Sequence, residues 1–392
     1  MRLSTSFQIQ KSIAAITERQ SQIVGLQNQL ASGKRVNTPG DDPAAASQIE
    51  LARARTAQLD SRIRVLSTAQ GQNQQLEQGL ADASSAMQDA RDALMAAGNG
   101  TYSDAERRAQ AEAIRGAFNR LLAIANSEDG AGGRLFGGVG SQSDPFVPTL
   151  SGVSYVGNFG DQMLDPATNT LGSLDGSAIF MQLPSGNGMF SATAAPGNTG
   201  RAWADTGSVT NMALLTGDTY EIRFNAAGTA YDLVNTTTGS TLAAAQPYTS
   251  GQSIGIDGWQ VAVSGAPGPN DRFVIAPSAR KSIFDTLQDA ITQLNAPGQM
   301  NTGKMQQLLA EIDTGMSRAN VARAKVGEQM RTGDAIALAA GREADTVQGF
   351  RSKLEDVDVA DAISKITAQQ TSLEAAMKTY ASVAKMSLMN YI

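Results

Sequence analysis

The sequence predicts a mainly α-helical protein in which a β-rich domain is inserted between N-terminal and C-terminal helices. Apolar residues near both ends recur at alternating steps of three and four, the pattern of helices that pack on each other. Residues 136–280 differ: they hold 21 of the 39 glycines and 13 of the 20 aromatic residues, in short alternating segments typical of strands. We expect the terminal helices to form a coiled coil, the other helices an elongated rod, and the inserted strands an outer domain.

Length and composition together predict three domains, because a single core rarely serves 392 residues. Residues 1–40 and 355–392 would form a terminal coiled-coil assembly domain. Residues 41–135 and 281–354 would form the helical rod, and residues 136–280 the β-rich outer domain. This outer segment has ten acidic and four basic residues, whereas the flanks are balanced, so the net charge of −6 arises in the middle.

The first predicted helix carries a heptad seam, and we assign its members to an assembly interface: Ile9, Ile13, Ile16, Gln20, Ile23, Gln27 and Leu30. The helix should end at Ser32-Gly33. Asp42-Pro43 then predicts a helix cap with proline at the first helical position, opening a helix of some 55 residues. A third helix should begin at the capping-box pattern of residues 103–106.

The C-terminal flank mirrors this pattern. A short helix is predicted around residues 283–294, followed by a long seam over residues 305–330. The last helix has a heptad seam assigned to the same assembly interface: Val359, Ile363, Ile366, Gln370, Leu373, Met377 and Tyr380, with Leu388 further on. Glutamine at seam positions lowers stability and can fix register or partner, so Gln20, Gln27 and Gln370 predict a weak core in the terminal pair.

In the middle zone, two hairpins are predicted. Residues 219–224 and 230–234 alternate on either side of a Gly-containing turn, and residues 254–256 and 259–263 flank Asp257-Gly258. Another strand is expected at residues 272–275, and residues 140–205 read as an irregular β-rich half.

The composition argues against several classes of function. The chain has no cysteine and no histidine, which removes thiol and imidazole chemistry, disulfides and the usual soft metal ligands, so we expect neither an enzyme nor a cofactor. A mildly acidic chain lacks the basic surface that nucleic acids require. No run approaches the roughly 18 apolar residues of a membrane span, and the start lacks the apolar core of a cleavable secretory signal.

Three short motifs could carry chemistry, and each has a simpler explanation. Ser278 and Lys281 have the S-x-x-K spacing of some acylases, but the partner motifs are absent, which favours a helix start at a domain junction. The glycines of residues 130–138 lack the Lys-Ser/Thr of a phosphate loop. Asp41 and Asp42 could form a carboxylate pair, but Pro43 favours a helix cap.

The two ends resemble the flagellin superfamily, and more closely the flagellar hook-associated protein 3 family. Gln29–Asn37 is similar to the shared LSSG-x-R-I-N signature, and Asp41-Asp42-Pro43-Ala44-Ala45 is closer to the DDP-x-A of that family than to the DDAAG of flagellins. Near the C-terminus, Leu354–Asp358 and Ser387–Ile392 resemble its LEDxD and SLxxYL endings.

This resemblance implies a structural subunit that joins the hook to the flagellin filament. Its implied partners are hook-associated protein 1, flagellin, other copies of itself in a ring, and a cytosolic export chaperone that holds the C-terminal helix before secretion. The implied location is extracellular, at the hook–filament junction, after type III export without cleavage.

Two alternatives remain open from the sequence. The chain could be a flagellin that forms the filament itself, in which case the purified protein would grow long filaments. It could also carry a surface enzyme or adhesin in the outer domain, which would show as peptide cleavage or glycan binding.

Overall fold

The computed structural model of the chain describes residues 5–130, 132–150, 152–165, 170–297 and 301–389. Its residues form two compact units. Residues 1–64 and 335–392 make up one, called here the terminal unit, and residues 65–334 the other, called the central unit. The division into three domains stays a prediction.

Helices occupy both flanks of the sequence, as predicted: α1 (Thr5–Ser32), α2 (Pro43–Ala97), α3 (Asp104–Ala125), α4 (Ile283–Asn295), α5 (Thr302–Glu355) and α6 (Val359–Met389). The 55-residue length of α2 agrees with its pattern. α1 ends where Gly33 adopts a φ of +71°, a conformation that glycine takes without steric cost. At the start of α3, the Ser103 hydroxyl accepts from the Glu106 amide, and the Glu106 carboxylate accepts from the Ser103 amide, completing the capping box.

The core of the central unit is formed by α2, α3, α4 and α5 together with residues 135–183. Phe284 of α4 is fully buried, and its ring contacts those of Phe118, Phe146 and Phe180 at centroid distances of 5.6–6.3 Å. The aromatic residues that follow α3 therefore share the core of the helices, although the sequence assigned them to the outer domain.

Strands lie between α3 and α4: β1 (Phe146–Thr149), β2 (Gly152–Tyr155), β3 (Gln162–Asp165), β4 (Thr170–Ser173), β5 (Leu183–Pro184), β6 (Phe190–Ala194), β7 (Trp203–Ala204), β8 (Ser208–Val209), β9 (Tyr220–Phe224), β10 (Ala230–Asn235), β11 (Ser240–Pro247), β12 (Ser253–Ile256), β13 (Trp259–Ser264), β14 (Arg272–Pro277) and β15 (Arg280–Lys281). The pairs β1–β2, β3–β4 and β5–β15 are two-stranded.

Two larger antiparallel sheets enclose a second core. One has the order β11–β10–β9–β14–β6, and the other is built on β12–β13–β7, with β8 also paired to β13. Tyr220, Ile222 and Phe224 of β9 alternate into this core and meet Trp259, Val261 and Val263 of β13. This β core, formed by residues 190–275, is distinct from the core that the helices share.

Both predicted hairpins are confirmed. β9 pairs with β10 and β12 with β13, each antiparallel and consecutive in sequence. The turn between β12 and β13 places Asp257 at a φ of +47° and Gly258 at +83°, as a two-residue Asp-Gly turn requires. The strand predicted at residues 272–275 is the body of β14.

We expect Phe284→Ala to lower the free energy of unfolding of the central unit by about 3–5 kcal/mol, because it removes a fully buried ring from a cluster of four. Urea unfolding followed by circular dichroism measures this. Phe159→Ala is the control, since that ring is 72% exposed and should cost less than about 1 kcal/mol. Equal losses in the two variants would contradict this account of the core.

Candidate functional site: the paired terminal helices

α1 and α6 pack against each other in the terminal unit, which confirms the predicted pairing of the two ends. Their covered sides repeat at heptad spacing. On α1 the buried or half-buried members are Ile16, Ile23 and Leu30, each seven residues apart. On α6 the matching half-buried residues are Ile366, Leu373 and Tyr380. One half of each predicted seam therefore holds the pair together.

The other half of each seam is exposed. Ile13, Gln20 and Gln27 lie on the open side of α1, and Ile363, Gln370 and Met377 on the open side of α6. Val359, at the start of α6, is also exposed. The side chains of Ile9 and Leu388 lie outside the residues whose burial the structure describes.

The three glutamines of the predicted seam do not lie in the core of this pair. Gln20, Gln27 and Gln370 are exposed, whereas Leu26 of α1 and Ala376 of α6 are half-buried and Ala362 of α6 is buried. The covered side of the two helices therefore includes small residues that a search for large apolar residues overlooks.

A buried carboxylate ties the ends of these helices together. Glu355, the last residue of α5, is only 4% exposed. Its Oε1 lies 2.6 Å from Lys34 Nζ and 2.6 Å from Arg53 Nη2, and its Oε2 lies 3.4 Å from Arg351 Nε. The hydrogen bond from Lys34, together with the hydrogen bond and the charge of Arg53, holds the pKa of the Glu355 carboxyl below its ordinary value, although burial acts in the opposite direction.

Backbone hydrogen bonds join the same two segments. The Arg35 amide donates to the Glu355 carbonyl at 2.6 Å, and the Val357 amide donates to the Gly33 carbonyl at 3.0 Å. The Arg35 guanidinium also donates to the Leu354 carbonyl at 2.8 Å. The loop after α1 and the turn between α5 and α6 are thereby fixed to each other, which sets where α1 ends and where α6 begins.

The predicted cap of α2 completes this joint. Asp42 Oδ1 accepts from the Ala45 amide at 3.0 Å, and Pro43 is the first helical residue. Asp41 Oδ2 accepts from the amides of Asn37 and Thr38. These backbone donors lower the pKa of both carboxyls, so the two aspartates stabilise loop and helix. A metal site is not needed to explain them.

The two residues of the S-x-x-K motif hold structural roles. The Ser278 hydroxyl donates to the Ser185 carbonyl at 2.8 Å, while Lys281 Nζ pairs with Asp289 at 2.7 Å and Glu311 at 2.8 Å. Burial alone would lower the pKa of Lys281, but these two acids outweigh it and raise the pKa. A lysine that two acids hold protonated is poorly suited to act as a base.

Neither a metal cluster nor a membrane helix is found in the described part of the chain. No group of three or more acidic side chains there could hold an ion. No helix among those residues is long and apolar enough to cross a bilayer. The paired terminal helices and the joint at Glu355 are therefore the strongest candidate site.

Comparisons with known proteins identify a family match and several relatives. Residues 3–141 match the family described as the bacterial flagellin N-terminal helical region. Over 186 residues the chain is 33% identical to flagellar hook-associated protein 3 of Salmonella typhimurium, a match that covers 47% of this chain and 58% of that protein. The matched part is thus less than two thirds of the length of this relative.

Solved structures extend the likeness to the fold. The chain superposes on flagellar hook-associated protein 3 of Legionella pneumophila with a TM-score of 0.72 and 28% identity, covering 78% of this chain and 98% of that one. FlgL of Xanthomonas campestris gives a TM-score of 0.65 and 27% identity, covering 71% and 93%. The resemblance to flagellar hook-associated protein 3 is confirmed.

We expect Glu355→Gln to lower the free energy of unfolding of the terminal unit by about 1.5–3 kcal/mol at pH 7, because charged hydrogen bonds to a buried carboxylate are lost. Glu343→Gln is the matched control: Glu343 pairs with Arg55 at 2.5 Å in the same unit, but both side chains are 45% exposed, so the cost should be below about 1 kcal/mol.

The effect of Glu355→Gln should depend on pH. A carboxyl whose pKa is lowered by folding stabilises the protein above its unfolded pKa, and this contribution is lost as the pH falls through the folded pKa. Urea unfolding should therefore separate wild type from the variant at pH 7, and the difference should shrink as the pH falls below the ordinary pKa range of a glutamate carboxyl. A difference that persisted unchanged in acid would show that the charge of Glu355 does not stabilise the joint.

Proposed function

We propose that this chain is a structural subunit of the bacterial flagellum that joins the hook to the flagellin filament. Its terminal helices would pack with those of neighbouring subunits in a ring between hook-associated protein 1 and the first flagellins. The location is extracellular, at the junction. The role is structural, without catalysis or cofactor, and involves neither nucleic acid nor membrane.

The named relatives support the junction over the alternative of a filament-forming flagellin. The similar proteins at 27–33% identity carry the name flagellar hook-associated protein 3 or FlgL. The flagellin match covers the N-terminal helical region, which fits a common superfamily.

The observation that carries the proposal is the exposed apolar edge on each terminal helix. Ile13 is 47% exposed on α1, while Ile363 and Met377 are 50% and 44% exposed on α6. These residues belong to heptads whose other half is covered within the chain. Exposed apolar residues that continue a heptad seam are suited to further helices, and subunits that assemble through their ends would supply them.

The same edge of α6 would serve a cytosolic chaperone before export. An exposed apolar edge promotes premature association in the cytosol, so a chaperone that covers Ile363 and Met377 would keep the subunit soluble. Export would follow through the flagellar type III apparatus without cleavage of the N-terminus.

Deletion of the gene tests the proposal directly. We expect mutant cells to keep their hooks, secrete flagellin into the medium and lack filaments, with a plasmid copy restoring attachment. Loss of the hook itself would contradict the junction role. Purified wild-type chain that grew long filaments by itself would instead favour the flagellin alternative.

Ile363→Asp should abolish junction incorporation while leaving the α1–α6 pair folded, because position 363 is open in the monomer. Ser364→Asp is the matched control, since Ser364 is exposed on α6 but lies outside the seam. Complementation of the deletion strain, scored by attached filaments, measures the difference. Normal attachment with Ile363→Asp would contradict the assignment of this edge.

Ile366→Asp separates folding from assembly. Position 366 is half-buried on the contact face of α6, so a charge there should destabilise the terminal unit by about 2 kcal/mol or more. We expect circular dichroism to detect this loss, whereas Ile363→Asp melts like wild type. The helical signal of the central unit should be unchanged in both variants.

A further inference from the structure

A cleft of about 390 Å³ lies in the central unit between α5 and the paired strands β5 and β15. Arg318 of α5 and Arg280 of β15 both line it, and both side chains are exposed. Among the residues that the structure describes, no carboxylate lines the cleft with them. The other lining residues are uncharged: Ala178, Gln182, Pro184, Gly188, Ser278 and Ala279.

The charges of these two arginines are not neutralised within the described part of the chain. Neither guanidinium forms an ion pair there, and the hydrogen bond that Arg280 makes goes to a neutral side chain. The neighbouring Lys281 differs, because its Nζ pairs with Asp289 and Glu311. The acids of this junction thus compensate the lysine, and the cleft keeps two positive charges.

A chain of neutral hydrogen bonds orients Arg280. Gln182 Oε1 accepts from Arg280 Nη1, and Gln182 Nε2 donates to the Oγ of the buried Ser177 at 3.3 Å. An amide carries no net charge, so it positions the guanidinium without cancelling it and leaves the other N–H groups of Arg280 for a ligand. Gln182 follows a π-helical turn, Ser177–Met181, a rare backbone form that is frequent at functional sites.

We propose that this cleft binds an oxyanionic group, a carboxylate or a phosphate, through Arg280 and Arg318. The planar guanidinium donates two parallel hydrogen bonds to such a group, which makes arginine the side chain best suited to it. The cleft has room for the group and for bridging water, since one water molecule takes up about 30 Å³. A bound anion would offset the repulsion between the two arginines and link α5 to β15.

Isothermal titration calorimetry of the full-length chain with inorganic phosphate and with succinate, at constant ionic strength, tests this. We expect at least one of the two anions to bind at a single site with a Kd of about 1 mM or below. Arg280→Gln and Arg318→Gln should each weaken that binding about tenfold or more, because charged hydrogen bonds to the anion are lost. Circular dichroism checks that both variants fold, as expected for exposed side chains.

Arg331→Gln is the matched control. It removes the same charge from α5, but Arg331 pairs with Glu328 and its side chain is 80% exposed, so the affinity should stay at the wild-type value. If the wild-type chain bound neither anion, the proposal would be overturned. Binding that all three variants retained equally would also overturn it, because the anion would then lie elsewhere on the chain.

The same variants distinguish the sources of the anion. Tighter binding of phosphate than of succinate would support a free ligand that carries a phosphate group. Tighter binding of succinate would support a carboxylate, and complementation of the deletion strain with Arg318→Gln then separates its sources. Fewer attached filaments would support an acidic side chain of a neighbouring subunit, and normal attachment a free carboxylate. The titration itself is independent of the proposed function, so the two proposals fail separately.

Discussion

The ion pairs of the Glu355 carboxylate are the interactions on which the terminal unit depends. The carboxylate receives Lys34 from the loop after α1 and Arg53 from α2, while Arg351 of its own helix lies on the other oxygen. Segments that are 319 residues apart in sequence meet here, as the bond from Arg35 to the Leu354 carbonyl shows. A buried charge is tolerated only when such partners surround it, so the joint is specific to one arrangement of the chain ends.

That arrangement determines which side of each terminal helix is used within the chain. With the end of α1 and the start of α6 fixed at the joint, α1 packs against α6, and its covered side carries Ile23 and its heptad neighbours. The remaining apolar residues stay on the outer side. The joint at Glu355 therefore determines which apolar residues form the exposed edge that we propose for assembly. If α6 began at a different residue, a different side of the helix would be exposed.

The central unit contains two separate cores. Phe284 and its aromatic neighbours bury the segment after α3 against the helices, whereas residues 190–275 form a core of their own. Glycine and turn residues had grouped all of residues 136–280 together in the sequence. Local composition predicts where the chain forms strands and turns. It does not predict which core a residue joins, because that depends on contacts between side chains far apart in sequence.

Much of this molecule follows from the sequence alone. The helix starts at Pro43 and Asp104, the length of α2, both hairpins and the likeness to hook-associated protein 3 are encoded in local patterns, because caps, turns and periodicity act over a few residues. The tertiary structure decided the rest. In the fold, Gln20, Gln27 and Gln370 are exposed, and Lys34 and Arg53 meet Glu355. Which side of a helix is covered, and which distant charges pair, depends on neighbours that no local pattern specifies.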